Sequence, residues 1–408
     1  MKCGLLGAKL GHSYSPQIHS HLGDYTYALL EKSEEELGIY LQNADFSGLN
    51  VTIPYKSTVI PYLSELSPAA ARLGAVNTIV RKENGELWGH NTDYFGFETM
   101  LLRSGLKVDG RKVLVLGTGG TSKTAVAVLK DHGAQVVIIS RSGENNYTNL
   151  QLHRDASVIV NTTPVGMYPK NGAAPLSLDA FPRLEGVLDV IYNPAKTALL
   201  LDAQARGLVA MNGLLMLVAQ AKESTEWFTG QKIDDGKIDE IHGILKRQME
   251  NIILIGMPGS GKSIIGRMVA DRLGKEFVDA DLSIAQRAGC SIPEIFASQG
   301  EAGFRALETQ VLADLGKASG KVIATGGGCV TREENYPLLH QHGKVFCLVR
   351  SIDTLPTDGR PLSQTGRLEE MYRIRKPMYE KFADYQIDNN GTPEHATGEI
   401  LKLWEGLK

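Results

Sequence analysis

The chain has 408 residues, of which 42% are hydrophobic and 22% are charged, and its formal net charge is −3 at pH 7. A chain of this length is too long to fold around a single hydrophobic core, so we expect two or three domains. Neither half carries a basic surplus, which argues against nucleic acid or an anionic membrane as the main partner. The four cysteines form no CxxC pair, no apolar run is long enough to span a bilayer, and no signal peptide is recognisable. We therefore expect a cytoplasmic protein with reduced cysteines, in an oligomeric state that the sequence does not give.

Short apolar segments alternate with helical patterns along the whole chain, which is typical of parallel α/β domains. Before residue 93 the predicted strands are 2–6, 49–53 and 76–81. A dinucleotide-binding pattern follows, with strands at 112–116, 135–139, 157–161 and 186–190. A long apolar helix over 212–228 is expected to return to the first domain.

A further helix, with apolar residues at 238, 241, 245 and 249, leads almost directly into a strand at 251–255. The remaining strands are expected near 276–279, 321–325, 344–349 and 385–388. We predict domains at 1–93 (completed by about 212–245), 94–211 and 250–408. The fold class is α/β, with an N-terminal α/β substrate domain, a Rossmann domain and a P-loop domain built on a five-stranded parallel sheet.

The first glycine-rich loop, Gly117-Thr-Gly-Gly120, lies between a predicted strand and a predicted helix. Such a loop suits a dinucleotide pyrophosphate, although glycine turns at this place also occur for structural reasons alone. The next strand ends in Arg141, where an NAD-binding unit carries an acidic residue. An arginine there fits the 2′-phosphate of NADP, but a solvated surface arginine is the alternative, and Glu144 is close enough to keep both open.

A lysine and an aspartate are candidates for proton transfer. Lys56 follows a predicted strand, and Asp93 closes the segment Gly89–Asp93. In a cleft such a pair can exchange a proton with a carbonyl or alcohol oxygen while nicotinamide moves a hydride. Considered separately, Lys56 would be interpreted as a surface residue and Asp93 as the N-cap residue of a helix. The hydroxyl- and amide-rich segments His12–Pro16, Ala75–Thr78 and Asn161–Met167 favour the site, since they can bind a carboxylate and ring hydroxyls.

With these motifs, residues 1–245 resemble shikimate dehydrogenase. The resemblance implies that Ser13 and Ser15 bind the substrate carboxylate and that Lys56 is the catalytic acid/base paired with Asp93. It implies further substrate contacts from Thr52, Asn77, Asp93, Tyr192 and Gln220. It places NADP(H) against Gly117, Thr118, Gly119, Gly120, Ser140, Arg141, Ser142, Val190 and Gly213.

The second glycine-rich loop is a full Walker A pattern, from Gly256 to Ser263. It follows a predicted strand and opens a predicted helix, which is the context that this motif requires. Lys262 is expected to reach the β- and γ-phosphates of ATP, and Ser263 to ligate Mg²⁺.

Other residues narrow the phosphoryl acceptor. Asp279 and Asp281 are expected on one face of a strand end, where one can hold Mg²⁺ through water and the other can grip a hydroxyl; helix capping is the alternative. Arg305, Arg360 and Arg375 suit an acidic substrate, although each can also be a surface ion pair. The triple glycine 326–328 allows the backbone to approach a small ring closely.

Together these residues make 251–408 similar to shikimate kinase. The resemblance assigns Asp281 to the substrate hydroxyls, Arg305 and Arg375 to its carboxylate, Gly327 and Gly328 to further contacts, and Glu308 to orienting Arg305. It makes Lys262, Asp281 and Arg360 catalytic, the last as the arginine of a lid over about 351–366. It assigns ATP to Met257, Pro258, Gly259, Ser260, Gly261, Lys262, Ser263 and Arg360, and Mg²⁺ to Ser263 and Asp279.

The two resemblances support each other because the product of the first reaction is the substrate of the second. The expected function is bifunctional: NADPH reduces 3-dehydroshikimate to shikimate, and ATP phosphorylates shikimate to shikimate 3-phosphate, in aromatic amino acid biosynthesis. The alternatives are a quinate-preferring dehydrogenase, fusion to a different P-loop small-molecule kinase, or one half acting as a non-catalytic regulator.

Overall fold

The computed structural model describes residues 1–11, 13–355 and 367–406. The chain divides into two compact units, each of which is described by itself. The first unit comprises Met1–Gly166, Ala173–Tyr192 and Asp202–Ile244, and the second comprises Met167–Gly172, Asn193–Leu201 and Leu245–Lys408. The sequence did not anticipate that the two short segments at 167–172 and 193–201 belong to the second unit, and the predicted domain bounds stay a prediction.

The first unit begins with a six-stranded mixed sheet. Its strands are β1 (Lys2–Gly7), β2 (Thr26–Glu31), β3 (Gly48–Val51), β4 (Glu65–Leu66), β5 (Thr78–Arg81) and β6 (Leu87–His90). The order is β2-β1-β3-β5-β6-β4, with β5 antiparallel to both β3 and β6. Buried Leu6, Leu49, Val51 and Ile79 belong to its core. All four residues of β3 are buried, as is typical of a strand inside a sheet that is covered on both faces.

The second sheet of this unit has five parallel strands. They are β7 (Lys112–Leu116), β8 (Gln135–Ile139), β9 (Val158–Asn161), β10 (Gly186–Asp189) and β11 (Val209–Met211), in the order β11-β10-β9-β7-β8. Parallel strands need crossover connections, and their carboxyl ends meet at one edge, where ligands bind in open α/β sheets.

Eight helices begin before residue 249 in the described part of the chain. They are α1 (Ser15–Ser20), α2 (Glu34–Asn43), α3 (Pro68–Leu73), α4 (Asp93–Ser104), α5 (Gly120–Asp131), α6 (Ala198–Ala205), α7 (Leu214–Thr229) and α8 (Gly236–Met249). Phe97 and Met100 of α4, with Met216 of α7, are buried in the core under the parallel sheet. This packing brings the start of α4 and the middle of α7 to the same end of the unit as the glycine loop.

The second unit is built on one parallel sheet. Its strands are β12 (Asn251–Ile255), β13 (Glu276–Asp279), β14 (Lys321–Ala324), β15 (Gly343–Val349) and β16 (Tyr385–Asp388), in the order β13-β14-β12-β15-β16. The helices are α9 (Lys262–Leu273), α10 (Ala280–Ala288), α11 (Ile292–Leu315), α12 (Asn335–His340), α13 (Arg367–Phe382) and α14 (Pro393–Glu405). The core packs on both sheet faces, with residues such as Ile253 on one side and Leu254 on the other.

The structure confirms the predicted fold class, including the five-stranded parallel sheet of the second unit. One local prediction is wrong: β13 ends at Asp279, and Asp281 lies in the first turn of α10 rather than on a strand face. The side chain of Asp279 accepts hydrogen bonds from the amides of Asp281 and Leu282. This carboxylate therefore caps the helix that begins directly after the strand. Within the described ranges, no helix combines the length and the apolar character needed to cross a membrane.

Candidate active sites

Lys56 and Asp93 form an ion pair in the first unit. Lys56 lies in the turn after β3, and Asp93 is the first residue of α4. The distance from Nζ to Oδ2 is 2.6 Å, and the side chains are 24% and 12% exposed. Thr92, not Asp93, is the N-cap residue, so the capping interpretation of Asp93 is wrong. The carboxylate instead gains from the positive end of the α4 dipole and holds the ammonium group at the pocket.

A cavity of about 270 Å³ surrounds this pair. Its walls contain ten of the residues predicted for the first site: Ser13, Ser15, Thr52, Lys56, Asn77, Asp93, Val190, Tyr192, Gly213 and Gln220. The sequence pattern did not single out the remaining wall residues: Leu5, Asn50, Val51, Ile53, Thr121, Met216 and Leu217. Met216 and Leu217 precede Gln220 by about one helical turn on α7, so helical spacing was the signal that would have found them.

Buried hydrogen bonds fix the polar wall. The side-chain oxygen of Asn77 accepts from the backbone amide of Thr92 at 2.7 Å, and its amide nitrogen donates to Thr92 Oγ1 at 3.0 Å. These bonds tie the residue directly before β5 to the residue that precedes Asp93. Asn77 is therefore held rigidly beside the ion pair, which is what a site for ring hydroxyls requires.

The first glycine loop joins β7 to α5. Gly117 has φ +109°, a conformation that favours glycine, and its backbone amide donates to Ile139 O at 2.9 Å. Thr118, Gly119 and Gly120 are exposed, and nothing lies within 4 Å of a Cβ built on Gly119 or Gly120. The first amides of α5 therefore face open space, as a pyrophosphate requires, so the loop fits a dinucleotide.

The next group of predicted cofactor residues follows β8. Ser140 Oγ accepts a hydrogen bond from the amide of Gly143 at 2.9 Å, and Arg141 and Ser142 are exposed. Among the ion pairs of the described residues, none joins Arg141 to Glu144. The guanidinium is thus open to an anion in solvent. Farther along, a Cβ on Gly213 would lie 2.0 Å from Val190 O, so only glycine allows these two predicted cofactor positions to approach.

In the second unit, Lys262 is the first residue of α9 and is buried. Its Nζ donates to the carbonyls of Gly256 and Met257, both at 2.9 Å. Gly259 and Gly261 have φ of +85° and +91°, which is the left-handed backbone that a phosphate-binding loop needs. The ammonium is therefore centred in the loop, at the position where phosphates are expected to bind.

Ser263 and Asp279 meet as predicted for a magnesium site. Ser263 Oγ donates to Asp279 Oδ2 at 2.7 Å, across the start of α9 and the end of β13. A hydroxyl and a carboxylate are oxygen ligands of the kind that Mg²⁺ takes beside nucleotide phosphates. Asp279 therefore caps α10 and also accepts from Ser263 at the start of α9, while its role as a magnesium ligand stays a prediction.

The triple glycine after β14 is enclosed by the other predicted residues. A Cβ on Gly326 would lie 2.6 Å from Glu308 Oε1 and 2.8 Å from Asp281 Oδ1. One on Gly328 would lie 2.0 Å from Arg305 Nη2. Side chains of the protein itself therefore leave little room for a Cβ at Gly326 and Gly328.

The two predicted carboxylate-binding arginines lie at this loop. Arg305 Nη1 pairs with Glu308 Oε2 at 2.8 Å, and Glu308 is fully buried. Burial raises the pKa of Glu308 above its ordinary value, against the attraction of Arg305. Arg375 Nη1 donates to Gly327 O at 3.2 Å, and the Tyr379 hydroxyl donates to the same carbonyl. α11 and α13 therefore hold the arginines on two sides of the loop.

A cavity of about 540 Å³ contains this second site. It is lined by predicted residues from the phosphate loop, the DxD pattern, the arginines and the glycine loop: Pro258, Gly259, Gly261, Lys262, Ser263, Asp279, Asp281, Arg305, Gly327, Gly328 and Arg375. Sequence reasoning missed its apolar wall, Ile292, Pro293, Phe296 and Phe304, and also Arg350. It also missed buried Asn389, whose side chain donates to Ser260 O at 2.6 Å and braces the loop from β16. Arg360 and most of the predicted lid, like His12 of the first unit, lie outside the described residues.

These arrangements define an oxidoreductase of the dinucleotide-binding type in the first unit and a phosphotransferase of the P-loop type in the second. Residues 5–79 match the family model of the shikimate dehydrogenase substrate-binding domain, and residues 258–405 match that of shikimate kinase. An NADP(+) shikimate dehydrogenase of Clostridium perfringens is 36% identical over 265 residues, covering 60% of this chain and 97% of that protein.

Two solved structures similar to this chain are also those of shikimate dehydrogenases. A chorismate mutase/shikimate 5-dehydrogenase fusion protein from Clostridium acetobutylicum has a TM-score of 0.58 at 36% identity, covering 60% of this chain and 97% of that one. Shikimate 5-dehydrogenase from Thermus thermophilus, in complex with NADP(H) and shikimate, has a TM-score of 0.55 at 30% identity, covering 59% and 98%. The chain belongs to the shikimate dehydrogenase family, and it continues into a shikimate kinase domain. It is a bifunctional enzyme of the shikimate pathway.

Proposed function

We propose that the first unit reduces 3-dehydroshikimate to shikimate with NADPH, and that the second transfers the γ-phosphoryl group of ATP to the 3-hydroxyl of shikimate. The observation that carries the proposal is the Lys56–Asp93 pair, 2.6 Å apart, in a pocket walled by hydroxyls and amides. We assign the substrate domain to 1–93 with 212–245, the NADP domain to 94–211 and the kinase domain to 250–408. The cytoplasmic location stays a prediction.

In the first reaction Lys56 gives its proton to the carbonyl oxygen as that oxygen becomes a hydroxyl. Asp93 orients the ammonium and compensates the charge that the proton transfer removes. Ser13 and Ser15 hold the carboxylate, and Thr52, Asn77, Tyr192 and Gln220 fix the ring, so that the carbonyl lies at Lys56. NADPH, when bound, supplies the hydride.

Two features support NADP rather than NAD. Arg141 follows β8 with its guanidinium exposed, where a 2′-phosphate can reach it. The curated relative from Clostridium perfringens is an NADP(+) enzyme. Ser140 and Ser142 add hydroxyl groups at the same turn, and Gly117, Thr118, Gly119 and Gly120 bind the pyrophosphate.

In the second reaction positioning and charge neutralisation do most of the work, because phosphoryl transfer passes through a loose transition state. Lys262 neutralises the phosphate oxygens, and Ser263 and Asp279 hold Mg²⁺. Asp281 grips the attacking hydroxyl, while Arg305 and Arg375 hold the carboxylate. Arg360 keeps its predicted role on the transferred group.

The alternatives predict different outcomes. A quinate-preferring first unit gives a higher kcat/KM with quinate than with shikimate in the oxidative direction. A different kinase leaves shikimate unphosphorylated when ATP and Mg²⁺ are supplied. A regulatory half shows binding without turnover.

The decisive test assays both activities in two variants. Lys56→Ala is expected to lower the dehydrogenase kcat by about a thousandfold, the size of a lost acid/base group, and to spare the kinase. Lys262→Ala is expected to do the reverse. The matched controls are Lys2→Ala and Lys381→Ala, which remove exposed lysines paired with Asp45 and Glu333. If Lys56→Ala or Lys262→Ala behaves like its control, the assignment of that unit is wrong.

A further inference from the structure

An arginine at the end of β15 has no assigned role in the second unit. Arg350 directly follows this strand, is half-buried, and lines the 540 Å³ cavity together with Gly259, Gly261 and Lys262 of the phosphate loop. Within residues 1–11, 13–355 and 367–406, no carboxylate forms an ion pair with it. An arginine in a cavity wall, without a carboxylate partner, is available to an anionic ligand.

The order of the strands places Arg350 on the nucleotide side of this cavity. β12, which leads into the phosphate loop, lies between β14 and β15. The triple glycine 326–328 follows β14, whereas Arg350 follows β15. Neighbouring strands are about 4.8 Å apart, so the carboxyl ends of β14 and β15 are separated by about 10 Å, with the phosphate loop between them. Arg350 is therefore adjacent to the loop proposed for ATP and one strand farther from the glycines proposed for the substrate.

Hydrogen bonds connect the backbone around Arg350 to the phosphate loop. The carbonyl of Val349 accepts from the amide of Asn389 at 2.8 Å, and the side chain of Asn389 donates to a carbonyl of the phosphate loop at 2.6 Å. On the other side of Arg350, the amide of Ser351 donates to Asn390 Oδ1 at 2.7 Å. The residues before and after Arg350 are thus both held by the segment after β16, and the same segment holds the phosphate loop.

One hydrogen bond orients the side chain of Arg350. Its Nε donates to Thr354 Oγ1 at 3.2 Å, and that hydroxyl donates to Ser351 O at 2.8 Å. Because Thr354 takes only the Nε proton, the two terminal nitrogens keep their donors as far as the described residues are concerned. Such donors form a planar fork that binds two oxygens of one phosphate at once.

The charge of the nucleotide calls for a second cation on this side. The triphosphate of ATP carries more negative charge than Lys262 and one Mg²⁺ neutralise together, and phosphoryl transfer depends on neutralising it. Apart from Lys262, the cations in the described cavity wall are Arg305, Arg350 and Arg375. Two of these, Arg305 and Arg375, are assigned to the substrate carboxylate. Arg350 is the remaining described cation of the wall.

We propose that Arg350 is a nucleotide-binding residue of the second unit: its guanidinium contacts the polyphosphate of ATP from the β15 side of the phosphate loop. This rests on the assignment of ATP to that loop. The contact is made before phosphoryl transfer begins, so its loss weakens the binding of the nucleotide more than it lowers kcat.

The test is Arg350→Gln, with binding measured by titration calorimetry in the presence of Mg²⁺ and without shikimate. The Kd of adenylyl imidodiphosphate, an ATP analogue that cannot transfer its phosphoryl group, is expected to rise about tenfold, as for one lost charge-assisted hydrogen bond. Inorganic tripolyphosphate should lose affinity by the same factor, because it presents the phosphates without the adenosine. Arg350→Lys keeps the charge but not the fork and should lose about threefold. The KM for shikimate and both dehydrogenase constants are expected to stay unchanged.

Arg332→Gln is the matched control. Arg332 is also a half-buried arginine of the second unit, but it pairs with Glu334 at 2.8 Å and does not belong to the described cavity wall. Both dissociation constants are expected to stay within about twofold of the wild type in this variant. An equal loss of affinity in the two variants would show a general effect of removing an arginine and overturn the proposal.

The remaining outcomes separate this proposal from its alternatives. If Arg350→Gln weakens the analogue but not tripolyphosphate, the arginine contacts the adenosine, and the proposal is wrong. If the KM for shikimate rises instead, Arg350 belongs to the carboxylate site, and the proposal is wrong again. Lys262→Ala is the reference: if it leaves both dissociation constants unchanged, the assignment of ATP to the loop fails, and Arg350 with it. If only Lys262→Ala weakens binding, the ATP assignment stands and Arg350 has no part in it.

Discussion

The two sites differ in how far their reactive groups are arranged before a ligand arrives. In the first, Lys56 already pairs with the partner proposed for catalysis, Asp93. In the second, Lys262 is bonded to backbone carbonyls of its own loop, and phosphates must replace or join these partners. A proton-transfer site needs one fixed pair, whereas a phosphoryl-transfer site needs a cradle whose charges are completed by the nucleotide.

The glycines show the same difference. Gly119 and Gly120 of the first loop touch nothing that a Cβ would displace, so only a ligand can require glycine there. Gly326 and Gly328 of the second unit are closed in by Asp281, Glu308 and Arg305. In the first loop, Gly119 and Gly120 are thus left open, whereas the glycine loop after β14 is part of the packed wall of the second cavity.

The largest effect is expected from a substitution that breaks the preformed Lys56–Asp93 ion pair. Asp93→Asn should lower the dehydrogenase kcat by about a thousandfold, because Lys56 loses the charge that orients it. The kinase rate should not change. Asp45→Asn is the control, since Asp45 also accepts from a lysine, Lys2, at 2.7 Å, but on an exposed surface. Equal rates for the two variants would mean that the 2.6 Å pair has no catalytic role.

A somewhat smaller effect is expected from Gly328→Ala. The new methyl group would displace the Arg305 guanidinium, so kcat/KM for shikimate should fall about a hundredfold, as for a misplaced binding group. Gly398→Ala adds the same methyl group on α14, where nothing lies within 4 Å, and should leave the kinase unchanged. A fully active Gly328→Ala enzyme would show that Arg305 is not needed in its present position.

Gly120→Ala tests the open loop. The folded protein can accept the methyl group, whereas a pyrophosphate against the loop cannot, so the KM for NADPH should rise about tenfold. The KM for 3-dehydroshikimate serves as the internal reference and should stay the same. An unchanged KM for NADPH would place the pyrophosphate elsewhere.

The smallest expected effect concerns stability and pH. His342 of the second unit is 1% exposed, burial lowers its pKa to about 4, and its Nε2 lies 2.9 Å from Asn193 Oδ1. Because the folded pKa lies below the unfolded value of about 6.5, its contribution is present above that value and is lost as the pH falls. Between pH 7.5 and pH 6 the loss should be about 1 kcal/mol.

Urea unfolding, followed by the loss of each activity, measures this effect. In His342→Gln the acid-dependent decrease should become shallower for the kinase only. The dehydrogenase should keep its own decrease, since burial lowers the pKa of His19 to about 3 in the first unit. A kinase transition with the same pH dependence in wild type and variant would contradict the assignment to His342.

Much of the architecture could be read from local pattern. β7 and β8 occupy the predicted residues, and β12, β13, β15 and β16 lie within about one residue of theirs. β7, β12 and β15 are largely buried strands, which stand out in the sequence as short apolar runs. Asp281 was misplaced because the sequence left helix capping as only one of two interpretations, and the structure shows that Asp279 ends β13 and caps α10. That outcome depends on a hydrogen bond, not on hydrophobic periodicity.

The sequence by itself determined the two glycine-rich loops, the candidate lysine and aspartate, and the two resemblances, because each is carried by particular residue types within short motifs. Only the tertiary structure decided which distant side chains support them: Tyr27 behind Asn50, Asn389 behind the glycine-rich loop of the second unit, and Phe296 in the wall of the second cavity. Their spacing in sequence carries no pattern, because the contacts join elements that meet only when the sheets and helices pack. Packing thus turns ordinary aromatic and amide residues into the supports of a site.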